Sequence, residues 1–355
     1  MSKIRIGVVG CGDIAFRRYL PAVRELEDDV ELVAACDLDK TRADRAKEEY
    51  GAQQSFANAN EMLAQADLDG VVILTSMVPH GPLSIAALEA GKHVYVEKVM
   101  AVSMVEADRM VELAEQKNLV LACAPSTILL SPYQRLKALV DAGEIGRISL
   151  MHAQGAHGGP GRWDEYTSDP TWFYQPGAGP LFDLAVYPVH ILTQVFGPVR
   201  RVTAFSGLSL PELVMTAQKV RGQTVKVQVD DTTPMILDFG DATFATVEAS
   251  YNVLSSRLPV IEFWGSEGAL TAPQTMGDEI GIWHQGDPEW EIVHVPPAPH
   301  DRLGIGAGLP HWLECIREGK QAINSGRHGR HVLEILLSSQ LSARTGRAVE
   351  LTTTF

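Results

Sequence analysis

The sequence predicts an α/β protein, with an N-terminal doubly wound parallel sheet followed by a C-terminal α+β domain on a large, mostly antiparallel open sheet. The first third of the chain alternates short apolar strands with amphipathic helices, the order typical of a parallel sheet. After about residue 125, strands follow one another without intervening helices, which indicates an antiparallel or mixed sheet. A chain of 355 residues also exceeds one typical core. We therefore predict two domains, residues 1–125 and 126–355.

The strands of the first domain are predicted from uniformly apolar runs, as expected for a sheet covered on both faces. They are Ile4–Val9, Glu31–Cys36, Gly70–Leu74, His93–Val96 and Val120–Cys123. The helices between them are predicted near Arg17–Leu26, Thr41–Tyr50, Asn60–Ala64, Pro82–Glu89 and Met104–Lys117. In such a sheet, ligand-binding loops lie at the carboxyl ends of the strands.

The second domain begins with a predicted helix near Pro132–Ala142 and a strand at Ile148–Ala153. A loop rich in glycine, proline and aromatic residues then runs from about 155 to 179. Alternation with period two predicts strands at Val199–Phe205, Val225–Val229, Thr232–Phe239, Phe244–Tyr251, Ile261–Trp264 and Glu291–Val295. A final helix is predicted at about 331–344, and we expect its apolar face to pack back on the first domain.

A glycine turn directly follows the first predicted strand. Gly10 permits a tight turn, Gly12 lets the backbone approach a pyrophosphate, and the small Ala15 allows close packing of helix on strand. The predicted helix that follows presents unpaired N–H groups at Asp13 and Ile14 to the phosphates. Strand, glycine turn, helix and second strand together predict a dinucleotide-binding Rossmann domain.

An acidic residue ends the second predicted strand. The carboxylate of Asp37 can accept hydrogen bonds from both ribose hydroxyls of NAD, whereas it would repel the 2′-phosphate of NADP. Arg42 and Arg45 lie nearby in the sequence and could soften that repulsion. We therefore predict NAD in preference to NADP.

Composition excludes several classes of protein. A formal net charge of −14 without a basic cluster argues against nucleic-acid binding. No long uncharged apolar run predicts a membrane span, and a first strand that begins by Ile4 leaves no room for a signal peptide. The four cysteines are scattered, which favours small buried side chains over disulfides. This usage of cysteine predicts a cytoplasmic location.

Three segments together carry a family resemblance: the glycine turn, the stretch Ala87–Lys98, and the stretch Gly177–Tyr187. They resemble the Gfo/Idh/MocA oxidoreductases, the family of glucose–fructose oxidoreductase and inositol dehydrogenase. The resemblance covers nearly the whole chain in order. It implies NAD(P)-dependent interconversion of a secondary alcohol and a ketone on a sugar, cyclitol or related polyol. It also implies a homodimer or homotetramer, for which an exposed face of the C-terminal sheet is suited.

The resemblance also assigns roles to residues. The family's Glu-Lys-Pro motif corresponds to Glu97 and Lys98, with Val99 in place of the proline. Its substrate-side aspartate corresponds to Asp183. The usual catalytic histidine, four residues later, is replaced by Tyr187, as in the branch of dihydrodiol and xylose dehydrogenases.

The chemistry of alcohol oxidation supports these roles. A base must take the hydroxyl proton as the carbonyl forms, and a free tyrosine, with a pKa of about 10, is a poor base near neutral pH. A lysine cation and an oxidised nicotinamide ring both favour the phenolate. We therefore predict Tyr187 as proton acceptor, Lys98 as its electrostatic partner and Asp183 as a substrate ligand. The alternatives are a solvated lysine at the end of a strand for Lys98, a packed aromatic at Tyr187 and a helix-capping role for Asp183.

Further candidates lie in the loops. Thr75, Ser76 and His80 follow a strand end and resemble the loop beneath the nicotinamide ribose. Trp172 and Gln175 suit a polyol ring, although a loop-anchoring aromatic cluster explains them equally well. His190, seven residues after the aspartate, is either a substitute base and substrate ligand or a structural histidine of the helix.

Other readings of the chain remain. The histidines do not form a recognisable ligand set, so no metal is predicted. A dinucleotide-sensing regulator of the same fold would not need a catalytic base. A reductase similar to biliverdin reductase would act on a conjugated substrate. Retention of Lys98 and Asp183 argues against the regulator, whereas Val99 and the missing histidine argue for it. The motif of Asp183 and Tyr187 favours polyol chemistry over the reductase.

Overall fold

The computed structural model describes residues 2–272 and 277–355. The described chain divides into two compact units, and each has its own sheet. The first unit comprises Met1–Ser126 with Leu303–Leu333, and the second comprises Thr127–Arg302 with Glu334–Phe355. The boundary between Leu333 and Glu334 therefore falls within the helix Gly326–Thr345. The boundary at residues 125 and 126 stays a prediction.

The strands form a sheet in each unit and one short ribbon. In chain order they are β1 Ile4–Val9, β2 Val30–Cys36, β3 Gln54–Phe56, β4 Gly70–Ile73, β5 His93–Val96, β6 Leu121–Cys123, β7 Ile148–Ala156, β8 Arg201–Ala204, β9 Glu212–Val214, β10 Thr224–Lys226, β11 Thr232–Gly240, β12 Thr243–Ser250, β13 Ile261–Gly265, β14 Gly268–Thr271, β15 Glu279–His284, β16 Glu291–His294 and β17 Val349–Glu350.

The helices are described in the same order. They are α1 Leu20–Glu25, α2 Lys40–Tyr50, α3 Ala59–Gln65, α4 His80–Glu89, α5 Met104–Gln116, α6 Ser131–Asp141, α7 Pro180–Asp183, α8 Val186–Phe196, α9 Gly308–Glu318 and α10 Gly326–Thr345. Short 3₁₀ turns occur at Thr127–Leu129, Pro160–Arg162, Thr171–Tyr174 and Gln218–Val220, and two more, separated by a kink at Gly304, make up Pro299–Ala307. None of the helices in the described residues combines the length and apolarity needed to cross a lipid bilayer.

The sheet of the first unit is parallel throughout, in the order β3-β2-β1-β4-β5-β6. The chain order reverses between β1 and β4, where doubly wound sheets bind ligands at the carboxyl ends of their strands. Val9, the last residue of β1, pairs with Cys36 and Ile73, so the loops after three strands share one edge. The predicted doubly wound sheet is confirmed.

The helix predicted near Arg17–Leu26, with its first N–H groups at Asp13 and Ile14, contains a turn that was not predicted. The helical run starts at Asp13 and passes through a π-helical turn, Ala15–Tyr19, before α1. The turn is closed by a hydrogen bond from the N–H of Leu20 to the carbonyl of Ala15. Apolar periodicity cannot reveal such a widened turn, because it adds a residue to only one turn of the helix.

The second sheet has nine strands, in the order β16-β15-β14-β13-β7-β12-β11-β8-β17. Only β7 and β12 pair in parallel, and the other neighbours are antiparallel. Along β11, Thr233, Met235, Leu237 and Phe239 are buried while the residues between them are more exposed. One face of the sheet thus packs on a core that includes α7 and α8, and the predicted mostly antiparallel open sheet is confirmed.

Several elements were not predicted or were misplaced. Strands β9, β14 and β15 and helix α9 lacked a clear pattern, and β10 ends at Lys226 rather than continuing to Val229. Helix α10 begins at Gly326, before the predicted start at about 331. A Cβ atom at Gly326 would clash with the side chain of Leu121, so tertiary packing explains a glycine that lowers helix propensity.

Candidate active site

The glycine turn lies at the end of β1 in the first unit. Gly10 has φ +94°, and a Cβ atom there would lie 2.7 Å from the backbone carbonyl carbon of Leu74, so only glycine fits. Its N–H donates to the carbonyl of Cys36 at 2.8 Å. A Cβ atom at Gly12 would meet nothing within 4 Å, so the backbone there faces open space. That space is what a pyrophosphate lying on the turn requires.

Asp37 lies at the end of β2 and contacts the same turn. One carboxylate oxygen accepts the N–H of Cys11 at 2.8 Å, and the other accepts the N–H of Asp39 at 2.9 Å. Each oxygen keeps a further lone pair for a hydroxyl donor. Burial and the nearby Asp37 raise the pKa of Cys11 to about 12, so this thiol stays protonated in the turn. The structure therefore brings Gly10, Gly12 and Asp37 together.

The first residues of the helical run have different surroundings. Asp13 is buried and forms an ion pair with Arg17, one turn further along. Ile14 is partly exposed beside Gly12. Asp13 and Ile14 are the first two residues of the helical run, directly after Gly12.

The loop after β4 is fixed by a buried histidine. The Nδ1 atom of His80 lies 2.7 Å from the carbonyl of Val99, and Nε2 lies 3.0 Å from the carbonyl of Thr75. Burial lowers the pKa of His80, despite these two carbonyl partners. The Thr75 hydroxyl donates to the carbonyl of Ser76 at 3.0 Å. His80 thus joins the β4 loop to the segment that follows Lys98.

Glu97 and Lys98 follow β5 directly. The Glu97 carboxylate is buried and accepts the backbone N–H of Lys98 at 2.9 Å and the hydroxyl of Tyr19 at 2.6 Å. The Lys98 side chain is partly exposed, and the peptide bond from Lys98 to Val99 is cis. No sequence motif indicated Tyr19, because its partner is 78 residues away in the chain.

In the second unit, Asp183 and Tyr187 lie in two consecutive helices. Asp183 ends α7, is 5% exposed and accepts the hydroxyl of Tyr251 at 2.9 Å. Tyr187 lies in the first turn of α8 and is partly exposed. His190 lies on the buried side of the same helix, where burial lowers its pKa to about 3 and keeps the imidazole neutral. Tyr251 was missed as a site residue because only the fold brings the end of β12 to α7.

The loop between β7 and α7 contains a cluster of aromatic rings. Trp172 stacks on Phe173 with ring centroids 3.6 Å apart, and Tyr174 lies 5.4 Å from Tyr251. The Gln175 amide donates to the carbonyl of Lys226 at 3.2 Å, which ties the loop to β10. Trp172 and Gln175 are therefore anchored side chains that both stay partly exposed.

The donors at the glycine turn and at the end of β2 suit an organic cofactor. Within residues 2–272 and 277–355, no three His, Cys, Asp or Glu side chains cluster as metal ligands would. The open backbone at Gly12 and the carboxylate at the end of β2 fit the pyrophosphate and ribose of a dinucleotide.

The fold and the glycine turn define a dinucleotide-binding α/β protein with a separate sheet-rich unit. Residues 4–124 match the family model of the oxidoreductase family with an NAD-binding Rossmann fold, and residues 133–271 match that of the Gfo/Idh/MocA C-terminal domain. The chain belongs to the Gfo/Idh/MocA family and is an NAD-binding oxidoreductase.

Curated relatives span the whole chain. It is 33% identical over 358 residues to dTDP-3,4-didehydro-2,6-dideoxy-alpha-D-glucose 3-reductase of Streptomyces violaceoruber, covering 99% of this chain and 97% of the relative. It is 22% identical to myo-inositol 2-dehydrogenase of Thermotoga maritima, covering 98% of both chains. The relatives thus act on sugars and cyclitols.

Solved structures share the fold. Levoglucosan dehydrogenase, in complex with NADH and levoglucosan, superposes with a TM-score of 0.85 at 21% identity, covering 98% of this chain and 99% of that chain. The WlbA dehydrogenase of Bordetella pertussis, in complex with NADH and UDP-GlcNAcA, has a TM-score of 0.78 at 24% identity, covering 99% and 98%.

Proposed function

We propose that this oxidoreductase interconverts a secondary alcohol and a ketone on a sugar, a cyclitol or a related polyol. The observation that carries the proposal is the buried Asp183 carboxylate, which Tyr251 holds in place four residues before Tyr187. A fixed carboxylate can orient a substrate hydroxyl, and a tyrosine in the next helix can exchange its proton. The activities named for the relatives support the same substrate class.

Three side chains divide the proton chemistry in this proposal. Tyr187 accepts the hydroxyl proton during oxidation and returns it during reduction. Lys98 supplies positive charge that favours the phenolate and anchors the substrate oxygen. Asp183 accepts a hydrogen bond from a substrate hydroxyl. NAD, when bound, accepts or supplies the hydride.

We propose NAD rather than NADP as the preferred cofactor. The support is Asp37, which accepts the N–H of Cys11 in the glycine turn with one oxygen and the N–H of Asp39 before α2 with the other. A carboxylate fixed at this place accepts ribose hydroxyls and repels a 2′-phosphate. Calorimetric titration with both cofactors tests this preference, and tighter binding of NADP would overturn it.

Supporting contacts to the two ligands are also part of the proposal. We assign Asp13, Ile14, Thr75, Ser76, His80 and Glu97 to the cofactor side, and Trp172, Gln175 and His190 to the substrate side. A neutral His190 can position a hydroxyl but is too weakly basic to take its proton.

The test of function is reduced-nicotinamide absorbance after mixing the protein and NAD with aldoses, cyclitols, sugar acids and dihydrodiols. Lys98→Met should abolish the signal while NAD binding persists. Lys137→Met is the matched control, because Lys137 forms a surface ion pair with Asp141 on α6 and should not affect turnover. A signal that survives Lys98→Met would refute the assigned role.

We further propose that the protein is a homodimer or homotetramer through the open face of the second sheet. In register across β12, β7 and β13, the side chains of Phe244, Leu150 and Trp264 form an apolar row on that face. Each is at least 36% exposed. Covering such a row by a second copy would remove apolar surface from water. Light scattering after size exclusion tests this proposal, which a monomer would exclude.

A cytoplasmic location is proposed on the state of the thiols. All four cysteines are free and buried. This is the usage expected in a reducing compartment. Recovery of the protein from a periplasmic fraction of its host would exclude it.

A further inference from the structure

We propose that Tyr19 is a positioning residue for Lys98 and acts through the carboxylate of Glu97. The inference rests on the proposed function to the extent that Lys98 takes part in proton transfer there. It adds a residue that neither the family motif nor the glycine turn assigns.

The geometry links three residues through one carboxylate. The Tyr19 hydroxyl donates to Oε1 of Glu97 at 2.6 Å. The second oxygen, Oε2, accepts the backbone N–H of Lys98 at 2.9 Å. One oxygen of Glu97 therefore binds the Lys98 backbone, and the other is bound by the Tyr19 hydroxyl.

Burial makes the tyrosine hydroxyl necessary. Tyr19 is 0% exposed and Glu97 is 5% exposed, so water cannot replace a lost donor at Oε1. A carboxylate in such a place needs hydrogen-bond donors to remain where it is. Burial and the adjacent Glu97 raise the pKa of Tyr19 well above its usual value, so the hydroxyl keeps its proton and remains a donor.

The position of Tyr19 in the chain explains why this contact bears on function. Tyr19 is the last residue of the π-helical turn that continues the helical run from the glycine turn. Widened turns of this kind occur often at functional sites. The helix that starts at the candidate pyrophosphate site therefore also holds the carboxylate next to Lys98. Without that hydroxyl, Glu97 and the Lys98 backbone lose their link to the cofactor turn.

The structure offers a matched control in Tyr95. Its ring centroid lies 5.8 Å from that of Tyr19, and it is likewise 0% exposed. Its hydroxyl makes no hydrogen bond to Glu97. Tyr95→Phe and Tyr19→Phe thus remove the same atom from the same buried region, but only the second change removes a contact to Glu97.

The first readout needs no substrate. Lysines are acetylated briefly, and modification of Lys98 is compared by peptide mass spectrometry with that of Lys47, an exposed residue of α2. Tyr19→Phe should change the ratio of Lys98 to Lys47 labelling severalfold, whereas Tyr95→Phe should leave it unchanged. NADH affinity, followed by fluorescence, should persist in both variants.

The second readout is turnover. Tyr19→Phe should lower kcat by about ten- to hundredfold with little change in KM, the size of effect that misplaced catalytic groups produce. Glu97→Gln should lower it similarly, and the double variant should be no worse than Glu97→Gln, because both changes break the same link.

The outcomes separate the inference from the proposed function. Unchanged labelling in Tyr19→Phe, equal effects of Tyr19→Phe and Tyr95→Phe, or additive losses in the double variant would each overturn it. A wild-type protein that turns over no polyol, with labelling that still depends on Tyr19, would contradict the proposed function and support the positioning of Lys98.

Discussion

Removing one hydroxyl group from Tyr251 should test the second-unit site directly. The Tyr251 hydroxyl donates to Asp183 at 2.9 Å, and both residues are almost fully buried. Tyr251→Phe leaves the ring in place and deletes only this donor. The Asp183 carboxylate then loses this hydrogen bond, and water has little access to replace the lost donor.

The magnitude follows from the kind of bond that is lost. A hydrogen bond to a carboxylate contributes about 1.5–3 kcal/mol. If the loss is felt where Asp183 meets the substrate, kcat/KM should fall roughly 10- to 150-fold. The free energy of unfolding should fall by up to about 3 kcal/mol, since the buried carboxylate is left without this partner.

Kinetics and denaturant unfolding of the same samples form the assay, with Tyr174→Phe as control. The Tyr174 hydroxyl accepts the N–H of Gly161 at 2.9 Å, and its ring packs beside Tyr251. This variant leaves a buried N–H unpaired, so it should also lose about 1–3 kcal/mol of stability. Because it does not contact Asp183, its kcat should be unchanged. Equal kinetic losses in the two variants, or no kinetic loss in Tyr251→Phe, would refute the reasoning.

Four further predictions concern the cofactor turn and stability. Asp37→Ser should narrow the affinity ratio between NAD and NADP at least tenfold by calorimetry, since the repulsive carboxylate is gone, and an unchanged ratio would contradict the proposed selectivity. Gly10→Ala should lower the melting temperature and weaken NAD binding, because φ +94° and a contact of 2.7 Å exclude a Cβ atom. Burial raises the pKa of Glu334, but hydrogen bonds from Thr352 and Thr353 outweigh burial and hold this pKa below its usual value. The stabilising effect of Glu334 is therefore present above the unfolded pKa and is lost as pH falls through the folded pKa. Glu334→Gln should therefore weaken the dependence of the free energy of unfolding on pH in the acidic range. An unchanged dependence would contradict this role of Glu334. The hydrogen bond to Glu248 raises the pKa of His152. The contribution of His152 to the free energy of unfolding is therefore complete below the unfolded pKa and is lost as pH rises through the folded pKa. His152→Gln should remove that change from unfolding curves measured between mildly acidic and mildly alkaline pH.

The first unit was largely readable from sequence because its signals are local. Uniformly apolar runs, amphipathic helices and a glycine turn all act over a few neighbouring residues. The turn requires glycine at position 10, because a Cβ atom there would clash with the backbone of Leu74 at the end of β4. Capping also follows local rules, as at Asp39, whose side chain accepts the N–H of Thr41 at the start of α2.

The second unit was harder because long-range pairing decides it. β15 pairs with β14 and β16, and its burial pattern comes from those neighbours rather than from alternation in its own sequence. The sequence located Asp183 and Tyr187 through a motif. It could not indicate Tyr251, which is 68 residues from Asp183 and carries no motif of its own.

The sequence by itself therefore determined the two kinds of sheet, the dinucleotide turn with its acidic Asp37, and the lysine and aspartate of the family. Tertiary structure alone decided which buried groups support them. Tyr19 reaches Glu97, and Tyr251 reaches Asp183, only after distant segments pack together. The physical reason is that a buried carboxylate needs a hydrogen-bond donor from any part of the chain, and folding selects that donor by position in space rather than in sequence.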